Sequence, residues 1–219
     1  MRNKGIIWAG LSIVVLFAMT LYVRFLMSDM QIAKTALKYY NNYDEAIQRF
    51  QKVLEKDPNN VEVHLYLGLA HGKSGNYNEA IKEFRWIRQR YPDFHFSASI
   101  RNDIGLFYYV LEQYPEAIDE FTHATLLKPN FVEAYFNLGT AYSALEQTQK
   151  AIECYQTVIK IDPRHSYSHW NLAVNLEKTN DIRGAIVHWK KYLELTPGVF
   201  RSPEVSAHIV ELEQQLNKK

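Results

Sequence analysis

Apolar residues recur at helical spacing along most of the chain. Over positions 61–73 they fall on helical spacing in two sets, Val61, Leu65 and Leu69 in one and Val63, Leu67 and Ala70 in the other. The pair Gly75-Asn76 supplies the turn that ends this helix. A second helical pattern follows and stops before Pro92, because proline disfavours helical geometry in the residue before it. The spacing therefore predicts two helices joined by a tight turn.

The two-helix pattern is repeated along the chain. Each copy has an alanine, an aromatic ring four residues later and a proline eight residues after the ring: Ala46, Phe50, Pro58; Ala80, Phe84, Pro92; Ala117, Phe121, Pro129; Ala151, Tyr155, Pro163; Ala185, Trp189, Pro197. The period is 34 residues, except that Ala117 follows Ala80 by 37. The three extra residues lie near 93–97, as a longer connection or an added half-turn of helix. A fixed period of this length predicts a stacked solenoid, which indicates binding rather than catalysis.

Further positions upstream of the alanine share a pattern in four of the five copies. They are His64, Leu67, Gly68 and His71; Arg101, Ile104, Gly105 and Tyr108; Tyr135, Leu138, Gly139 and Tyr142; His169, Leu172, Ala173 and Leu176. The first copy has Ala33, Lys34 and Leu37, with lysine at the position of the small residue. At these positions the chain resembles the tetratricopeptide repeat (TPR) family. The resemblance covers about four fifths of the chain.

The resemblance implies an all-α fold, a right-handed superhelical solenoid of about five TPR helix pairs. We place the array at 28–201, with repeats at about 27–60, 61–94, 98–131, 132–165 and 166–199. Beyond it, Ser202-Pro203-Glu204 combines the serine cap, early proline and acidic residue of a helix start. An apolar stripe follows, formed by Val205, Ile209, Leu212 and Leu216. It predicts a C-terminal capping helix at 202–219, with a docking helix for a partner as the alternative.

The N-terminal segment, 1–27, is predicted to be a transmembrane helix that anchors the array. No charged residue occurs from Ile6 to Val23, and at about 1.5 Å per residue this stretch nearly spans a hydrocarbon core of about 30 Å. A cleaved export signal is the alternative, but the stretch is long and no small-x-small site follows it. Arg2 and Lys4 favour a cytoplasmic N-terminus and an extracytoplasmic array, periplasmic in a bacterium. Basic residues beyond the span leave a cytosolic array as the alternative.

Composition and motifs narrow the function. The 25 basic and 24 acidic residues form no long block, which disfavours nucleic acid as a partner. No catalytic or cofactor motif occurs, so we expect neither an enzyme nor a bound cofactor. His165 and His169 are four residues apart, but Pro163 and the repeat register place His165 in a connection, which favours packing over a metal site.

Three further residues that carry reactive or metal-binding groups have structural interpretations. His64 and His71 occupy core positions of the repeat pattern, so we expect both to serve packing. The single Cys154 excludes an internal disulfide, and we interpret it as a small apolar residue rather than a reactive thiol.

In this family the first helix of each pair lines a concave groove, so the resemblance implies a set of partner-binding positions. They are Leu65, Leu69, Asn102, Leu106, Tyr109, Phe136, Thr140, Trp170 and Val174. Family members that grip a C-terminal carboxylate use lysine, arginine and asparagine there, and this mainly apolar set disfavours such a clamp. It favours an amphipathic helix or an extended apolar segment, with Tyr109, Phe136 and Trp170 as anchors. Packing between repeats is the alternative role of each ring.

Together these features predict a membrane-anchored scaffold or assembly factor for protein–protein interaction. It would hold a partner polypeptide, such as a subunit of a membrane complex, in the groove. The alternative is a structural scaffold that self-associates, each array inserting its end into the groove of the next. An enzyme is a distant third.

Overall fold

Helices form the regular secondary structure of the computed structural model, which describes residues 28–93, 96–198 and 202–217. They are α1 Asp29–Tyr39, α2 Tyr43–Lys56, α3 Val61–Lys73, α4 Tyr77–Arg90, α5 Ser97–Val110, α6 Tyr114–Leu127, α7 Val132–Ala144, α8 Thr148–Ile161, α9 Ser166–Lys178, α10 Ile182–Leu195 and α11 Ser202–Asn217. The described ranges contain no strand. The all-α prediction is therefore confirmed for the described part of the chain.

The helices pack in consecutive pairs, α1 with α2 through α9 with α10, and α11 packs against α10. We call the first member of each pair the leading helix and the second the following helix. The chain divides into two compact units, one that ends at Pro92 and contains α1–α4, and one that begins at Asp93 and contains α5–α11.

The turn inside every pair has a residue in the left-handed backbone region. In the second pair this is Gly75, at φ 83°, and it ends α3 with hydrogen bonds from the Gly75 N–H to the Gly72 carbonyl and from the Asn76 N–H to the His71 carbonyl. This is the hydrogen-bond pattern of a Schellman motif, which satisfies the last carbonyls of a helix. The other four turns place a non-glycine residue there: Asn41, Glu112, Glu146 and Asn180, with φ of 50° to 62°.

The small residue of the repeat lets an aromatic ring lie against the backbone of the leading helix. A Cβ added to Gly68 would lie within 2.6 Å of two carbons of the Phe84 ring, and one added to Gly105 would lie 2.6 Å from the nearest carbon of Phe121. Both rings are completely buried. The glycines are therefore required by contact between helices rather than by a turn.

The second unit has a core that continues into the C-terminal helix. Val205, Ile209 and Leu212 of α11 are buried in one cluster with Trp189 and other residues of α8, α9 and α10. Leu216 packs against the same cluster. The apolar stripe predicted for this helix is therefore the face that it buries.

The three extra residues of the third repeat are divided between a loop and a helix. Six residues separate α4 from α5, whereas four separate a following helix from the next leading helix elsewhere in the array. In addition, α5 has 14 residues and the leading helices α3, α7 and α9 have 13 each. Two of the extra residues therefore lengthen the connection and one lengthens α5, which is less than the half-turn of helix that was the alternative.

The predicted membrane span, 1–27, lies outside the described residues. Within the described ranges, none of the helices has the length and apolar character needed to cross a membrane. The span stays a prediction from the sequence.

Candidate functional site

The predicted partner-binding residues lie on leading helices of both units. Leu65 and Leu69 are half-buried on α3 of the first unit. The remaining seven belong to the second unit and recur every 34 residues in two rows, with Tyr109 beginning a third: Asn102, Phe136 and Trp170; Leu106, Thr140 and Val174. All seven are half-buried except Asn102, which is buried. The half-buried six, Leu106, Tyr109, Phe136, Thr140, Trp170 and Val174, are called the leading face below.

Side-chain hydrogen bonds hold the leading helices of the second unit side by side. The Asn137 amide on α7 donates to Asn102 Oδ1 on α5 at 2.9 Å. The Ser143 hydroxyl on α7 donates to Asn175 Oδ1 on α9 at 3.3 Å. Asn102 therefore joins two helices and has little surface left for a partner.

The aromatic residues of the leading face are held by rings of the following helices. Trp170 makes edge-to-face contacts with Trp189 and Tyr192 of α10, at centroid distances of 4.7 and 5.0 Å. Phe136 lies 5.9 Å from the ring of Tyr155 on α8. Each ring is thus packed against neighbouring rings, and its half-buried state leaves part of it accessible.

Tyr109 follows the same arrangement, and α5 also carries a half-buried acid, Asp103. The Tyr109 ring is 5.3 Å from that of Tyr114, and burial raises the pKa of its phenol. Burial also raises the pKa of Asp103 to about 6, and a hydrogen bond with Asn102 opposes this rise. A carboxyl group that is desolvated without a cationic partner is a destabilised group, and such groups occur at binding sites more often than elsewhere.

A cleft of about 470 Å³ opens where α9, α10 and α11 meet. Its lining residues are Trp170, Val174, Glu177, Lys178, Trp189, Glu204, Val205 and His208. Trp170 and Val174 belong to the leading face, so the cleft is continuous with it. The capping interpretation of α11 missed this contribution. The 34-residue period predicts this contribution, because Glu204 and His208 lie 34 residues after Trp170 and Val174.

The carboxylate of Glu177 is held in place within the cleft. Its Oε1 accepts a hydrogen bond from the Trp189 indole Nε1–H at 2.6 Å. The His208 Nε2 lies 3.0 Å from both of its oxygens. Ionised acceptors form stronger hydrogen bonds than neutral ones, so these contacts fix the orientation of Glu177.

His165 and His169 do not come together as a pair. The Nδ1 of His165 accepts a hydrogen bond from the Ser168 N–H at 3.2 Å and caps α9. His169 instead places its Nδ1 2.9 Å from Nδ1 of His188 on α10. Burial lowers the pKa of both His169 and His188, so both are neutral at pH 7. The described ranges contain no cluster of three or more potential metal ligands.

The His169–His188 contact belongs to a set of pairs that the sequence reading missed. In three repeats the first residue of the upstream repeat pattern, at the fourth or fifth position of the leading helix, contacts the residue 19 positions later, on the following helix. The pairs are His64–Glu83 at 2.5 Å, Arg101–Glu120 at 2.9 Å and His169–His188. The sequence does contain a signal for these contacts, because side chains that can hydrogen-bond to each other recur at a spacing of 19 residues.

The remaining candidate groups of the sequence lie in the interior. His64 stacks on Trp86 with a centroid distance of 3.5 Å. His71 is buried with its Nδ1 unpaired, and burial lowers its pKa. Burial raises the pKa of the Cys154 thiol to about 12, so the reactive thiolate does not form at neutral pH.

Comparison with known proteins finds the repeat within residues 36–93 and 105–165. Two family models described as tetratricopeptide repeat match residues 132–165 and 62–93, and one described as TPR repeat matches 36–75 and 105–146. Among curated proteins, the uncharacterized protein ycf37 of Cyanophora paradoxa is 28% identical over 147 residues, which are 67% of this chain and 77% of that protein.

Solved structures share the fold. MamA is 30% identical with a TM-score of 0.68, and the match covers 74% of this chain and 92% of that one. YrrB, described as a TPR protein with an unusual peptide-binding site, is 18% identical with a TM-score of 0.68, over 87% of this chain and 97% of that one. At 18% identity, the similarity to YrrB shows a common fold and nothing further.

Proposed function

This chain belongs to the tetratricopeptide repeat family, and from that premise we propose that it is a protein-interaction scaffold that binds a partner polypeptide on the leading face of its second unit. The observation that carries the proposal is the state of the aromatic residues there. Trp170, Phe136 and Tyr109 are each in contact with other rings and are half-buried rather than buried. No catalytic step is part of the proposal.

Rings held in this way suit binding because little conformational freedom is lost when a partner arrives. Ordering a mobile side chain at an interface costs roughly 0.5–1.5 kcal/mol, and the edge-to-face contacts of Trp170 have already restricted its ring. Large aromatic residues surrounded by smaller contacts are the usual energetic centre of an interface. The partner segment that fits an apolar face with a few polar groups is an amphipathic helix or an extended apolar chain.

A photo-reactive amino acid introduced into the full chain in cells tests this proposal. We would place it at Val174 on the leading face, and the matched control replaces Val187, which is 62% exposed on the following helix of the same repeat. The proposal predicts one discrete foreign protein crosslinked from position 174 and absent from position 187. Equal adducts from both positions, or none from position 174, would contradict it.

A second variant separates binding from folding. Phe136→Ala combined with Trp170→Ala should abolish the crosslink from position 174 while helix content, measured by circular dichroism, is retained. Leu126→Ala is the control, because Leu126 is 71% exposed on a following helix. If the crosslink persists in the double variant, the rings are not the anchors.

The alternative function, self-association, has one observation in its favour. Leu126 and Leu127 at the end of α6 are both exposed, and a pair of neighbouring exposed leucines is a candidate contact between copies. Sedimentation of the full chain distinguishes the two functions. A concentration-dependent oligomer that Leu126→Glu dissolves would favour the structural scaffold, and a monomer at high concentration would remove it.

The finer part of the proposal is that residues 1–27 anchor this scaffold in a membrane, with the array on the extracytoplasmic side. Its support is the uncharged run from Ile6 to Val23. The full chain should then resist extraction from membranes at alkaline pH, and a chain without residues 2–27 should be released. Activity of alkaline phosphatase fused after Lys219 would report an extracytoplasmic array, and an inactive fusion would favour a cytosolic one.

A further inference from the structure

The leading face changes character at its C-terminal end. Along the first row the residue is apolar on α7 and α9, where it is Phe136 and then Trp170, and it becomes Glu204 on α11. Along the second row Val174 is followed by His208. The surface is therefore aromatic over α7 and α9 and carries acidic and polar groups where α11 adjoins it.

The cleft at this end has aromatic walls. Trp170 and Trp189 both line it, and their indole planes are nearly perpendicular, at 87°. Val174 and Val205 add apolar lining. The face of an indole ring attracts a cation through its quadrupole, and this attraction is larger where water is partly excluded.

The charges that line the cleft favour a positive occupant. Glu177 is oriented by the Trp189 indole N–H and by His208, and a carboxylate with these contacts still has lone pairs free to accept more. The side chain of Glu204 is exposed and makes no hydrogen bond or ion pair with any described residue. Lys178 supplies one positive charge against the two carboxylates, so these three residues carry a negative excess.

We propose that this cleft takes the guanidinium of an arginine in the bound polypeptide, with its plane against the Trp170 indole and its N–H groups directed to Glu177 and Glu204. The inference rests on the proposed function and specifies the partner. A guanidinium matches both walls, because it stacks on aromatic rings and donates two parallel hydrogen bonds to a carboxylate. An ammonium group is more strongly hydrated and lacks the planar face, so arginine is preferred over lysine.

The position of the cleft also fixes where the arginine stands in the partner. Packed helices are roughly 8–10 Å apart, so Phe136 on α7 and the cleft at α9 and α11 are separated by about one to two such spacings. An extended chain advances about 3.3 Å per residue. A partner bound in extended form therefore carries the arginine roughly three to six residues from the apolar side chain that contacts Phe136.

Selection from a library of random 12-residue peptides displayed on phage tests the inference on the full chain. Three proteins are compared: the unmodified chain, Glu204→Gln and Glu116→Gln. Glu116 is the matched control, since it is exposed, follows a proline and is the third residue of α6, as Glu204 is of α11. Arginine should be enriched in peptides selected by the unmodified chain and by Glu116→Gln, and the enrichment should be lost with Glu204→Gln.

One selected peptide is then synthesised with arginine, lysine or the neutral isostere citrulline at the enriched position. Citrulline should weaken binding to the unmodified chain by about tenfold and to Glu204→Gln by less than about threefold. Lysine should fall between arginine and citrulline. Glu204→Lys serves as a charge reversal and should select against arginine, while circular dichroism verifies that each variant is folded.

The possible outcomes distinguish failure of the arginine cleft from failure of the proposed polypeptide-binding function. If no peptide is enriched by the unmodified chain, the proposed function fails together with the inference. Peptides that are enriched in apolar residues but not in arginine would leave the function standing and overturn the arginine cleft. Equal loss of affinity with citrulline in the unmodified chain and in Glu204→Gln would also overturn it, because the charge at Glu204 would then have no part in binding.

Discussion

Replacing Gly105 by alanine tests the reason that the repeat requires a small residue in its leading helix. The added Cβ would lie 2.6 Å from Cε1 and 2.7 Å from Cδ1 of Phe121. Carbon atoms in contact are normally about 3.5–4.0 Å apart, so the ring or the helix must move by about 1 Å. Phe121 is completely buried, and a rigid ring in a close-packed core has little room to move.

Two effects of opposite sign decide the result. Alanine is favoured over glycine within a helix by about 1 kcal/mol, which stabilises the variant. Overpacking a core by one methyl group costs roughly 1–3 kcal/mol, and contact with two atoms of a fixed ring belongs in the upper part of that range. We expect overpacking to win, so that Gly105→Ala lowers the free energy of unfolding by about 1–2 kcal/mol.

Urea denaturation followed by circular dichroism measures this loss. With a dependence of about 1–3 kcal/mol per molar urea, the midpoint should fall by roughly 0.3–2 M. In a Phe121→Leu background the smaller side chain leaves room, and Gly105→Ala should there be neutral or stabilising. If Gly105→Ala raises the midpoint in the unmodified chain, or has the same cost in both backgrounds, contact with the ring is not the reason for the glycine.

The remaining predictions concern the turns and the buried ionisable groups. Glu146→Gly should raise the free energy of unfolding by about 1 kcal/mol, because it removes the strain of a side chain on a left-handed backbone at φ 56°. Gly75→Ala should lower the free energy of unfolding by a similar amount for the opposite reason, and urea midpoints measure both changes. Burial lowers the pKa of His169 and His188, so below about pH 6.5 the unfolded chain binds more protons and stability should fall as the pH decreases. His188→Glu, which imitates the histidine–glutamate pair of the second repeat, should reduce that fall between pH 7.5 and 5.5. Burial raises the pKa of Asp103 to about 6, so the folded state loses stability as the pH rises from 3.8 to 6. Asp103→Asn should therefore stabilise the protein by about 1–3 kcal/mol at pH 7 and have no such effect below about pH 4. Urea denaturation at the two pH values tests this.

The candidate surface was predicted from the period together with the resemblance to the TPR family, which implies the positions that line the groove. Once the register was set by Gly68 and Phe84, the positions on each leading helix were known, and Phe136 and Trp170 are half-buried on those helices. The same arithmetic, extended past the last repeat, would have placed Glu204 beside Trp170. The apolar stripe of α11 predicts a cap but carries no information on its polar residues.

What the period does not contain is the environment of each side chain. Asn102 was placed with the partner-binding residues, yet it is buried and accepts a hydrogen bond from Asn137. Whether a position at the edge of a helix face is covered depends on the neighbouring helix, whose separation and rotation are set by side-chain volumes along the whole contact.

The sequence by itself determined the helices, their pairing, the turns and the identity of the core residues, because spacings of three and four residues and a period of 34 are local properties of the chain. Only the tertiary structure decided that His169 meets His188, that Glu177 is held between Trp189 and His208, and that Asp103 is desolvated. Each of these depends on the distance between atoms on different helices and on the water that packing excludes. Hydrogen bonds and pKa values change over about 1 Å, a distance to which the pattern of apolar and polar residues is insensitive.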